Sequence, residues 1–84
     1  MRETRRFRGI SKRLALQYLE NLGGDAHDSD RVEGDGWVAE VSAETVDVAG
    51  SIRLTEVTVE FEGDAGTLEP LVERFAQKAL RAGG

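Results

Sequence analysis

Apolar positions along the chain change period several times, and each change marks an element. Residues 4–10 (TRRFRGI) alternate, with Thr4, Arg6, Arg8 and Ile10 on one side and Arg5, Phe7 and Gly9 on the other, which predicts a short strand. The spacing then lengthens to three and four. Leu14, Ala15, Tyr18, Leu19 and Leu22 form one stripe of an amphipathic helix, with Leu16 off it. Ser11 is suited to cap this helix by accepting from a free amide of its first turn, and Gly23 and Gly24 to end it. Residues 25–30 (DAHDSD) have no period and read as a polar loop, residues 31–33 as a short strand, and residues 34–36 (GDG) as a turn. A second stripe, Leu68, Leu71, Val72, Phe75, Ala76 and Ala79, predicts a closing helix capped by Thr67, with Pro70 in its first turn and an end near Arg81 or Ala82. Glu73, Arg74, Gln77, Lys78 and Arg81 face elsewhere on it.

Between these helices, residues 37–61 are strand-like and the most informative part of the chain. With a turn at Ala49, Gly50 and Ser51, residues whose numbers sum to 100 face each other: Val48 with Ile52, Val46 with Leu54, Ala43 with Val57, Val41 with Val59, and Ala39 with Phe61. Every pair is apolar, and a slip of one residue would set apolar against polar throughout, so the register is well specified. The phase changes along the ribbon, however. Apolar positions are odd near the base and even near the tip, and both strands switch around Glu44 and Thr55. Either a bulge at that level turns the tip residues back into one core, or Val46, Val48, Ile52 and Leu54 form an apolar patch on the far face. An exposed patch of that kind seeks a protein partner, most simply a second copy in a homodimer.

The expected architecture is α+β: a single domain over residues 1–84, in the order β-α-β-β-β-α, with an antiparallel sheet and two helices packed on one face. Composition narrows the chemistry. The chain has no cysteine, which removes disulfides and thiolate chemistry, and no apolar run long enough for a membrane span. Its start lacks the apolar stretch of a secretory signal, so the expected compartment is cytoplasmic. The net charge is −5, but residues 1–13 carry +5 and the remainder −10. An acidic body argues against nucleic-acid binding, while a local basic strip can still hold a small anion. Nine Arg against two Lys, with abundant acid, fits a salt-rich cytoplasm or a GC-rich genome.

Candidate sites are few. Arg6 and Arg8 share a strand face, with Lys12 and Arg13 close behind, and paired guanidiniums can clamp a phosphate or carboxylate; the plainer reading is charge guarding an edge strand. His27 among Asp25, Asp28 and Asp30 lacks the spacing of a calcium loop, and a solvated acidic loop explains it better. Trp37 reads as core or rim before ligand platform. No nucleophile can be matched to a base, so catalysis, metal and cofactor are not expected. Gly83 and Gly84 match the terminal pair that ubiquitin-like sulfur carriers activate as a thiocarboxylate, although a helix stop explains them more simply.

The segments RRFRGIS, GDGWVAEV, VTVEF and TLEPLVERFAQKAL, taken in order, resemble the C-terminal domain of molybdopterin-synthase small-subunit (MoaD)-related proteins and its stand-alone haloarchaeal homologues. That resemblance covers nearly the whole chain. It implies a TBP-like fold and an association with molybdenum-cofactor or sulfur-carrier biology. It brings no catalytic residues with it, and the ubiquitin-like domain of the fused proteins has no counterpart here.

Overall fold

Alternation in the strands sorts their side chains to two faces, and only one of these is oily enough to need covering. The computed structural model describes residues 1–83, in the order β1 (Arg2–Arg8), α1 (Lys12–Asn21), β2 (Asp25–Ala26), β3 (Arg31–Gly34), β4 (Trp37–Ala49), β5 (Ile52–Gly63) and α2 (Ala65–Gly83). The strands form one antiparallel sheet in the order β1-β5-β4-β3-β2. On its covered face, cross-strand pairing aligns Phe7 with Val57, Val41 with Val59, Ala39 with Phe61, and Val32 with Ala39. Ala15 and Leu19 of α1 and Leu68, Leu71, Val72, Phe75 and Ala79 of α2 close over them. Phe75 is the centre of this layer. Its ring lies 5.1 Å from Phe7, 5.7 Å from Phe61 and 6.0 Å from Tyr18 between centroids, in the tilted and edge-on geometries that aromatic quadrupoles favour.

The other face is polar. Arg2, Thr4, Arg6 and Arg8 of β1 stand beside Glu62, Glu60, Thr58 and Glu56 of β5. Ion pairs run across it: Arg2 to Glu60 and Glu62 at 3.3 and 3.2 Å, Arg8 to Glu56 at 3.1 Å, and Arg31 to Glu33 and Glu40 at 3.2 and 3.6 Å. Exposed pairs of this kind contribute little stability each, but together they keep the uncovered face wetted.

Most predicted elements stand where the periodicity puts them. Ser11 caps α1 by accepting from the Leu14 amide at 3.0 Å, and Gly23, at φ 104°, ends it while the Gly24 amide donates to the Leu19 carbonyl. Several details differ. The first strand begins and ends two residues earlier than expected; Gly9, at φ 90°, turns the chain out of it, and Ile10 enters the core instead of extending the strand. Leu16, placed off the stripe, packs against the core half-buried. The loop at 25–30 contains β2, two residues paired with Val32 and Glu33 and too short to show a period. The last helix starts at Ala65, so Asp64 and not Thr67 precedes it. Asp64 accepts from both the amide and the hydroxyl of Thr67, at 3.0 and 2.6 Å, and Pro70 consequently lies inside the helix, past its first turn.

Candidate functional site

The two long strands outrun their neighbours. β1 stops at Arg8 opposite Glu56, and β3 begins at Arg31 opposite Glu40, whereas β4 and β5 continue to Ala49 and Ile52. Past this level the ribbon has no flanking strand, and no helix covers it. Among residues 43–55 only Val46 is even half-buried. The molecule is drawn out accordingly, to 42 × 23 × 20 Å.

The phase change within this ribbon is preserved in the structure. Pairing runs unbroken from Trp37 with Gly63 to Asp47 with Arg53, so no bulge at Glu44 and Thr55 returns the tip to the core face. Val46 and Leu54, opposite each other, therefore share the polar face of the sheet with Glu44 and Glu56. The irregularity falls farther out. Ala49, not Val48, pairs with Ile52, and Val48 is the extra residue of a bulge between Asp47 and Ala49. The expected Val48–Ile52 pair is thus replaced because the turn takes two residues, Gly50 (φ 55°) and Ser51, and the bulge absorbs the mismatch. Val48, Ile52 and Leu54 are 46%, 56% and 38% exposed, three of the five large apolar residues that stand out on the described surface. On the opposite side of the tip, Asp47 and Arg53 make an ion pair of 3.2 Å.

The backbone of the tip is open as well. The Val41 amide donates outward to the Asp30 carbonyl at 2.7 Å, which fixes the direction of every second residue after it. Ala43, Thr45 and Asp47 therefore aim both backbone groups away from β5, at an edge that no strand covers. Periodicity alone does not disclose this edge. The one sequence signal is length: an apolar ribbon of about 25 residues beside flanking segments of a few residues each.

The remaining candidates fall elsewhere. Arg6 and Arg8 share the uncovered face as expected; Arg8 is held by Glu56, and Arg13 stands on α1, which covers the opposite face. His27 Nε2 lies 3.3 Å from Glu33, and among the described residues no three His, Asp or Glu side chains group as a metal cage. Lys12 contacts Asp30; this hydrogen bond, together with the ammonium charge, holds the carboxyl below its ordinary pKa. Trp37 is buried, with Gly24 and Gly34 pressed against its indole so closely that a Cβ at either position would overlap the ring. Gly83 is the last residue of α2, and Gly84 lies outside the described residues. Among the described residues, no helix is long and apolar enough to cross a membrane.

No curated protein matches the sequence. The sequence profile of the archaeal MoaD-like proteins, in contrast, matches residues 3–84, from the second residue of β1 to the end of the chain. A match of that extent spans the sheet, both helices and the protruding ribbon together, and the chain belongs to the archaeal MoaD-like protein family.

Proposed function

We propose that this protein is a non-enzymatic interaction domain that presents the tip of its β4–β5 hairpin, with Val46, Val48, Ile52 and Leu54, to a protein partner. One observation carries the reading: a two-stranded ribbon extends beyond the sheet with aliphatic side chains exposed on it and both strand edges open. An isolated two-stranded hairpin is marginal in water, and clustered exposed aliphatics cost solvation that a contact would recover. Elsewhere the uncovered face is lined with paired charges, so the tip is where apolar contact is available. Membership of the MoaD-like family supports looking for the partner among proteins of molybdenum-cofactor or sulfur-carrier chemistry.

The test is the double variant Val48→Asp, Leu54→Asp. Circular dichroism and Tm should stay close to those of the parent protein, because neither side chain is in the core. Association seen by light scattering, with another copy or with an added MoaD-type protein, should be lost. Association that persists undiminished in the folded variant would overturn the reading.

A further inference from the structure

We infer that the occupant of the hairpin tip is a second copy of the chain, joined through the open edge of β4 in an antiparallel ladder with its two-fold axis at Val46. This rests on the reading of the tip as a contact surface and adds the partner and the geometry.

The sheet ends in β1 and the two-residue β2, and past β1 and β3 the outer parts of β5 and β4 are open as well. On β5 this stretch is only residues 52–55 and carries Arg53, so the comparison that matters is between β1 and β4. β1 carries Arg2, Arg5, Arg6 and Arg8 in seven residues, the sort of charge that keeps a strand from pairing with another chain. The outer part of β4 carries only two charges in eight residues, Glu44 and Asp47, and no arginine or lysine. Residues 42–49 read SAETVDVA, rich in β-branched side chains, and Ala43, Thr45 and Asp47 offer their amides and carbonyls outward.

A two-fold ladder can be centred on only a few residues of this edge. Centring on Glu44 or on Asp47 would set like carboxylates directly opposite each other, which is destabilising. Centring on Val46 opposes Val46 to its own copy and Thr45 to Asp47 in both directions. No like charges meet, and each threonine hydroxyl can donate to the carboxylate across from it. Thr45 and Asp47 then exchange backbone hydrogen bonds across the junction, while the two Val46 side chains meet at a non-hydrogen-bonded position, where opposed side chains approach most closely. On the same face, Leu54 of each copy flanks the valine pair, so the aliphatics of both tips merge into one patch. In this register the other copy's turn at Gly50 and Ser51 arrives beside Val41 and Ser42. There the structure has a recess of about 400 Å³, which opens just ahead of the start of β3 and is lined in part by Lys12, Asp30, Val41, Ser42 and Ala43. The bulge at Asp47 and Ala49 ends the ladder after these few residues. The junction is small, so the expected dissociation constant is on the order of micromolar.

The chain has no cysteine, which makes single-cysteine variants clean probes. Val46→Cys should cross-link to a covalent dimer under mild oxidation, because the paired Cβ atoms fall within disulfide reach. Arg53→Cys, on the opposite side of the ribbon, should not. Thr45→Pro removes an amide that faces the open edge and takes no part in the β4–β5 ladder, so it should give a folded monomer at concentrations where the parent is dimeric. A parent protein that stays monomeric at high micromolar concentration overturns the inference. So does a dimer that survives Thr45→Pro while Val46→Cys fails to cross-link. Should Val48→Asp, Leu54→Asp abolish binding of a different protein while the parent is monomeric, the tip would remain a contact surface and the β4 ladder would be wrong. If Thr45→Pro fails to fold, the cross-linking pattern of the two cysteine variants decides alone.

Discussion

Phe75 is the side chain on which the two layers depend most. It is fully buried and meets aromatic rings from β1, β5 and α1 at once. Phe75→Ala should therefore cost about 3–5 kcal/mol, from lost burial and the cavity left behind, read as a lower denaturation midpoint with little change in slope. Asp64 acts at the opposite extreme of exposure. Its carboxylate accepts two hydrogen bonds from Thr67, and these hold its pKa below the ordinary value. A carboxyl whose pKa is lower in the folded than in the unfolded state stabilises the fold above its unfolded pKa. That contribution is lost as pH falls through the lowered folded value. Acid unfolding should accordingly become shallower below about pH 4 in Asp64→Asn, a variant that keeps an acceptor oxygen at the cap but cannot titrate; parallel Tm-against-pH curves for parent and variant would refute the assignment.

At the scale of elements, the hairpin divides into a base that the core needs and a tip that it does not. Replacing residues 45–55 by an Asn-Gly turn removes no buried side chain, so the shortened protein should keep its circular dichroism and lose only a few degrees of Tm. It should also lose all association; retained self-association would place the contact elsewhere. The sequence discloses this division only in part. The alternation in residues 37–61 reveals the pairing because apolar residues face apolar ones in one register alone, and the switch of phase is equally plain at Glu44 and Thr55. What alternation cannot contain is the state of the neighbouring strands, since an open backbone edge leaves no mark on the side chains beside it. The bulge at Val48 is hidden for a related reason: a two-residue and a three-residue turn at Gly50 differ by one backbone step, not by hydrophobicity. Asp64 and Thr67 are both good caps three residues apart, and Gly66 between them, with Pro70 just beyond, masks the added first turn because both are weak helix formers.

For the whole molecule, charge sets the conditions for association. Each copy carries −5, and the junction inferred at β4 adds no pair of opposite charges between copies, only hydrogen bonds from neutral threonine hydroxyls to aspartates. Bringing two acidic bodies together is opposed by long-range repulsion that salt screens. The dimer should therefore tighten as salt rises from tens of millimolar towards molar, as measured by sedimentation; a dimer that weakens with salt would mean that the basic β1 meets an acidic surface instead. The same distribution accounts for what composition could and could not say. The excess of acid is plain in the composition, but two of the six positive charges near the start, Arg2 and Arg8, pair with Glu56, Glu60 and Glu62 across the sheet, a pairing legible only once β1 is known to lie beside β5.

The arginines of β1 also set a limit on growth. A sheet that joins through β4 and is guarded at β1 can double without the pair growing further through β1, whose arginines face the solvent on both outer sides. Stripping Arg2, Arg6 and Arg8 down to threonine would hand the molecule a second adhesive rim, and a self-limiting pair would become the seed of a fibre.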